Sequence, residues 1–409
     1  MIGKTHKTSG INSAKNRIPL FCAVTSMFWF SMYIYVPNLP VYARSVGASY
    51  SLVGLIVGSY GFSQMLLRIP LGVASDTLKK RKIFVIASII LCILSSTLFW
   101  FFQDTGMLLL SRALAGAAAS GWLTFTILFS SYFGEKETTR AMGILSSFLS
   151  LGQVPAMVIG GYIAQRMDQR YAFLVSVIVA LAALALSFGI KEKTFNREPV
   201  KIKQMLAVGK EPQLLVLSLL AVLSQFIPFA TVFGFTPLVA KQLGADNFQI
   251  GLLATIYTAP AIIAPFLGAS ILSRYIGETK ALIIGFSTVG LMSILTPYAA
   301  NMAQLYILQA VCGFAQGFIF PLLMGLCIRD LDVGKRATAM GFFQAIYAVG
   351  YFVGPILSGA LIDIFGLSIC FWVIGFIALF SAAFPLWSGT VISKTHICLH
   401  NDAGTKENS

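Results

Sequence analysis

The chain has 409 residues; 57% are Ala, Val, Ile, Leu, Met, Phe, Trp, Tyr or Cys, 11% are charged, and the mean hydropathy is +0.82. An average soluble chain carries roughly 25% charged residues, and none of this length could hide so much apolar surface while showing so little charge to water. Soluble enzymes, disordered chains and secreted disulfide scaffolds are excluded, and the net charge of +14 needs a positional explanation before nucleic acid is invoked.

A membrane span needs about 20 apolar residues. Twelve segments qualify, over 18–42, 50–75, 83–102, 106–132, 138–164, 171–190, 213–240, 247–273, 280–300, 303–329, 336–364 and 367–390. Lys4, Lys7, Lys15 and Arg17 precede the first in the manner of a signal peptide. That run is long for an h-region and eleven more follow, so it reads as a retained first span. Between the sixth and seventh, residues 191–212 hold six Lys or Arg, three Glu and two Pro, and read as a linker. The organisation expected is a bundle of six spans over 1–190, the linker over 191–212, and a second bundle with a tail over 213–409.

The basic residues sort by side. The N-terminus, the linker, the even-numbered loops and the C-terminus hold 23 of the 29 Lys and Arg, and the odd-numbered loops hold 4. This is a positive-inside bias, which places both termini in the cytoplasm and makes the basic balance a topology device. Nucleic acid is not implied.

The two bundles are a duplication. Pro40–Ala48 matches Pro237–Ala245 at an offset of 197, and Gly54, Tyr60 and Gly116 find Gly251, Tyr257 and Gly313 at the same offset. Ala141-Met142-Gly143, Gly152 and Gly161 match Ala339-Met340-Gly341, Gly350 and Gly359 at 198. Recurrence in register across four pairs of spans marks an internal repeat. Six spans per repeat is an even number, so the halves enter the membrane in the same sense. Parallel repeats of this kind place a binding site between them near the midplane.

All fifteen Asp and Glu fall in loops, tails or span ends, and the three His lie in the terminal tails. Intramembrane catalysis by carboxylate pairs or metal clusters therefore has no residues to use, and no cofactor is expected. Gly3-Lys4-Thr5 imitates the end of a phosphate-binding loop, but the first glycine of that motif would precede residue 1. The six Cys are too far apart for a metal knuckle or a redox pair, and five lie inside spans.

Arg112 is the one charge well inside a span, about six residues into the fourth, with Gly116 one turn further on the same face. An uncompensated Arg there costs at least ~2.5 kcal/mol, which makes function its default reading. Arg68, nearer a span end, reads as a snorkelling side chain. Tyr33, Asn38, Gln64, Gln153, Gln225, Gln316, Gln344 and Tyr347 are polar or aromatic residues inside spans. Individually they suit glue between helices; collectively they suit a polar cavity with aromatic walls and few fixed charges, fit for a moderately lipophilic ligand.

Gly72-Val-Ala-Ser-Asp76-Thr-Leu-Lys79-Lys80-Arg81-Lys82 resembles the signature loop of the major facilitator superfamily, G-x-x-x-D-R/K-x-G-R-R; Gly72, Asp76, Lys80 and Arg81 fit, and Thr77 and Lys79 depart. Leu108, Arg112, Ala115 and Gly116 resemble that family's fourth-span motif, with Ala115 in the place of the usual Gln. The antiporter motif of the fifth span is kept at Gly143, Gly152, Gly160 and Gly161 but disrupted at Pro155-Ala156-Met157. The eleventh span carries a cleaner copy at Gly341, Gly350, Gly354-Pro355 and Gly359.

The resemblance implies an all-α protein of twelve spans in two parallel six-helix bundles, acting as a secondary transporter. It implies coupling or gating roles for Gly72, Asp76, Lys80, Arg81, Arg112, Gly116, Gly350, Gly354 and Pro355. The expected activity is export of lipophilic or amphipathic small molecules by a monomer in the plasma membrane, with protons as the driving ion on the resemblance alone. Uptake or exchange of an organic anion held by Arg112 is the alternative within transport, and a non-transporting receptor or scaffold is the alternative outside it. Asp76 is expected to cap the start of the eleventh span near 336–339 and so join the halves on the cytoplasmic side.

Overall fold

The computed structural model describes residues 17–78, 80–133, 137–192, 209–264, 273–329, 331 and 333–387. Eleven helices among them are long and apolar enough to cross a membrane, and a shorter apolar one covers Ile18–Tyr33. The fold is all-helical and polytopic. Large apolar side chains such as Ile307, Ile364, Phe376 and Phe380 stand exposed on its outside. Water would not tolerate such a belt, whereas hydrocarbon requires it around helices whose backbone bonds are internal.

Three spans are not single helices, for local reasons. The first runs Arg17–Tyr33, turns through 34–38, and resumes as Leu39–Ser45. Pro37 can donate no backbone bond in the turn, and Pro40 is well placed in the first turn of the piece that follows. The seventh repeats this at the same offset: Pro212–Ala230, a wide turn at Thr231–Phe235, then Thr236–Gln242. Both pieces end on a glycine with positive φ, Gly47 at +94° and Gly244 at +81°, a conformation that a side chain would strain. The fourth span breaks at Gly121, between Thr105–Ser120 and Trp122–Ser130.

The duplication reappears in the packing. A Cβ on Gly116 would run into the carbonyl of Tyr60, and one on Gly313 into the carbonyl of Tyr257. Gly152 lies against Ser26 and Phe30 just as Gly350 lies against Val222 and Phe226. Small residues let these helix backbones approach, because packing rather than water exclusion joins helices in lipid.

The halves meet most extensively through two pairs of spans, with smaller contacts of the first and second spans on the seventh. The second (Tyr50–Leu78) packs on the eleventh (Val333–Phe365), and the fifth (Thr138–Arg166) on the eighth (Asn247–Ala264). Gly54, Gly58 and Gly61 form one helical stripe pressed on Tyr351, Phe352, Pro355 and Ile356; Gly161 and Gly251 face each other in the other pair. All of these lie toward the face opposite the linker, here the far face. Residues 56–61 of the second span are buried without interruption, while Phe62, Leu66 and Leu67 beyond them are exposed. The glycine-lined joint between the halves thus lies in the far part of these spans.

Hydrogen bonds close the far face. Asp363, at the end of the eleventh span, accepts from the N–H of Tyr50 (3.2 Å) and of Ser51 (2.7 Å) and from the Ser51 hydroxyl (2.5 Å). One repeat away, the Gln165 carbonyl oxygen accepts from the N–H of Asn247 (3.1 Å), whose amide donates to Ala164 O (3.0 Å). Each acceptor satisfies free N–H groups at a helix start.

On the linker face, the Glu192 carboxylate accepts the backbone N–H of Arg81, and Lys82 donates to Phe188 O at 2.7 Å. The start of the third span is therefore tied to the end of the sixth. The expected contact between Asp76 and residues 336–339 lies outside the described residues.

Candidate functional site

A cavity of about 180 Å³ opens between the halves. The first half supplies most of its wall: Trp29 and Tyr33 from the first span, Tyr60, Gln64 and Arg68 from the second, Ala119 and Trp122 from the fourth, and Leu149 and Gln153 from the fifth. The second half adds Phe229 from the seventh span and Tyr347 and Tyr351 from the eleventh. The rings support one another. Trp29 meets Trp122 edge to face at 5.4 Å, Tyr60 stacks on Phe229 at 6.0 Å, and Phe229 meets Tyr351 at 4.1 Å. Such contacts hold large side chains in place beyond the area they bury.

Arg68 does not snorkel. It is only 5% exposed, and its Nη1 donates to the Tyr347 hydroxyl at 2.8 Å, a bond that crosses from one half to the other. Its Nε has no hydrogen-bond partner among the described residues, and neither has the indole N–H of Trp29. Spacing could not reveal this, because the rotation of the second span is set by the Gly54, Gly58, Gly61 stripe.

Arg112 is 3% exposed, with Nε and Nη1 unpartnered among the described residues. Its guanidinium lies over the Tyr60 ring, 4.4 Å from the centroid. Arg112 is not among the residues that line the cavity, whereas Tyr60, whose ring it covers, is. Gly116, one turn on, presses on the Tyr60 backbone. Arg112 and Gly116 together fix the position of one wall residue.

Tyr33, Gln64, Gln153 and Tyr347 come together in the cavity as one constellation. The structure takes four other residues elsewhere. Gln316 donates to Ser224 O at 2.5 Å and binds the tenth span to the seventh, and Gln225 is buried beside it in the seventh. Gln344 is half-buried on the eleventh span, away from the cavity lining. Asn38 is buried in the turn of the first span, and no partner for its amide exists among the described residues. Of the four, Gln316 takes the other role open to an intramembrane amide, joining two helices.

Of the remaining candidates, Gly350 and Gly354 pack on the seventh span, and Pro355 receives Gly54. Pro355 thus forms part of the joint between the halves, and none of the three lines the cavity. Gly72 lies against Leu123 only, Lys80 is exposed, and Arg81 is buried at the start of the third span. Among the described residues no carboxylate lines the cavity and no cluster of His, Cys, Asp or Glu could hold a metal.

Two parallel repeats with a cavity between them are the architecture of a membrane transporter. The sequence matches the model of the Major Facilitator Superfamily over residues 21–239 and again over 214–395, and the chain belongs to that superfamily of secondary transporters. It is 25% identical over 347 residues to the inner membrane transport protein YajR of Escherichia coli (strain K12), covering 83% of this chain and 74% of that one. It is 22% identical over 362 residues to the multidrug resistance protein MdtG of Salmonella typhimurium (strain LT2), covering 85% and 89%. The fold is also that of a bacterial homologue of the human lysosomal transporter Spinster, solved inward-facing and unoccupied. The TM-score is 0.75 at 13% identity, covering 93% of this chain and 97% of that one.

Proposed function

We propose that this chain exports lipophilic or amphipathic small molecules in exchange for protons, as a monomer, by rocking its two bundles about the central cavity. The observation that carries the reading is an aromatic cavity between the halves, with glycine-lined helix contacts and the Asp363 and Gln165 hydrogen bonds joining the halves at the far face. A ligand reaches such a site from the linker face and leaves once the far-face contacts break. The similarity to MdtG, named for multidrug resistance, supports export over uptake. With no carboxylate on the cavity wall among the described residues, proton coupling involves Asp76, Arg112 or a protonatable group of the substrate itself. The alternative of organic-anion transport gains from Arg68, a buried cation on that wall.

Flux in proteoliposomes across a panel of acidic, neutral and basic aromatic compounds, with and without a pH gradient, tests the reading. Gradient-driven movement of at least one compound is expected. Loss of all flux in protein that still folds favours the receptor or scaffold alternative.

The reading also places the linker face in the cytoplasm. The described cysteines, Cys22, Cys92, Cys312, Cys327 and Cys370, are all buried. An impermeant maleimide should therefore label Cys398 in inverted vesicles and not in intact cells. Labelling from outside reverses the orientation.

A further inference from the structure

The fixed charge around the cavity has one sign. Arg68 lies on the wall and Arg112 over the ring of Tyr60, and each is at least nine-tenths buried. Neither makes an ion pair among the described residues, and Arg68 finds only a neutral hydroxyl. A buried guanidinium without a counterion is a standing cost to the fold, which an arriving anion would offset. A cation entering the same space would instead meet two like charges in a region of low dielectric. Two more donors of wall residues, Arg68 Nε and Trp29 Nε1, are buried behind the cavity surface and unpartnered among the described residues, so no acceptor beyond that hydroxyl offsets the charge of Arg68. A carboxylate accepts from a guanidinium in a planar fork that a neutral group cannot match.

Size narrows the class further. A cavity of ~150 Å³ holds one benzene ring in a protein interior, and this one, at about 180 Å³, has room for a ring with one small polar group. Its walls of Trp29, Trp122 and Phe229 suit a flat ring.

We propose that the cavity selects small monoanionic ring compounds of the aromatic carboxylate type, with Arg68 receiving the carboxylate and the aromatic walls receiving the ring. This rests on the transport reading for its biological use, but the binding preference stands or falls separately. Arg112 acts at one remove, through the position and potential of Tyr60.

The test is a titration of the purified full-length protein with benzoate, benzamide and benzylamine, followed by tryptophan fluorescence, since Trp29 and Trp122 line the cavity. Benzoate should bind saturably and at least tenfold more tightly than either the neutral or the cationic analogue. Arg68→Gln should weaken benzoate tenfold or more while leaving benzamide within threefold, which also shows that the cavity persists. Arg68→Lys should keep the preference for the anion at reduced affinity. No saturable response to benzoate overturns the proposal, as does benzylamine or benzamide binding as tightly as benzoate. Unchanged benzoate affinity in Arg68→Gln overturns the role of that residue. These wild-type comparisons decide the matter even if Arg68→Gln does not fold. Benzoate that binds but is not carried across proteoliposomes leaves the site standing and removes benzoate as cargo, while loss of flux for the whole panel removes the transport reading.

Discussion

Arg112→Ala should abolish net transport, to below a tenth of the parent rate, while expression and membrane insertion stay near normal. The guanidinium is buried with two nitrogens unpartnered, so removing it deletes a desolvation cost along with its contact to Tyr60. That contact is worth about 0.5–2 kcal/mol, and the two effects oppose each other in the stability balance. The transport cycle has no such compensation. Without the charge, Tyr60 loses its anchor, and the wall it forms against Phe229 loosens. Arg112→Lys keeps the charge and loses the planar fork, so it should restore only part of the rate. The measurements are proteoliposome flux beside the melting temperature of the purified variants. Full flux in the alanine variant would show that Arg112 has no part in the cycle.

The second large effect is expected at Asp363. Its carboxylate holds the start of the second span, and that contact exists only while the far face is closed. A negative charge at an exposed helix start contributes about 0.3–1 kcal/mol. A contact present in one access state and absent in the other shifts their equilibrium by its own free energy, and ~1 kcal/mol changes the ratio about fivefold. Asp363→Ala should therefore move the resting population severalfold toward the far-face-open state. Asp363→Asn, which keeps one acceptor oxygen, should fall between. Spin labels at Met167 and Tyr298, both exposed near the far face on opposite halves, report the change as a longer distance distribution. An unchanged distribution in Asp363→Ala would mean that the glycine-lined helix contacts alone hold this face shut. The matching contact from Gln165 is neutral, so Gln165→Ala should have the smaller effect.

The residues by themselves determined the class of protein, its polytopic all-helical fold and the repeat, because each depends on local quantities. About twenty apolar residues suffice for a span, whereas which prolines break a helix was not legible: Pro37 lies in a turn, but Pro70, Pro155 and Pro355 lie inside continuous helices. The repeat offset that pairs Gly116 with Gly313 also pairs their contacts with Tyr60 and Tyr257, since equal sequences pack equally. The identity of the cavity wall was half legible. Tyr33, Gln64, Gln153 and Tyr347 announce themselves as polar groups inside apolar runs, but so do Asn38, Gln225, Gln316 and Gln344, which the fold sends elsewhere. Periodicity gives which residues share a helix face and leaves open where that face points. The tertiary structure decided that direction, through the glycine stripes that set how each helix is rotated against its neighbours. Those stripes carried Arg68 inward to Tyr347 instead of outward to the membrane surface. The tertiary structure also decided which span-end carboxylate would join the halves at the far face. Asp363 and Ser51 lie 312 residues apart, and no local rule brings the end of one repeat to the start of the other.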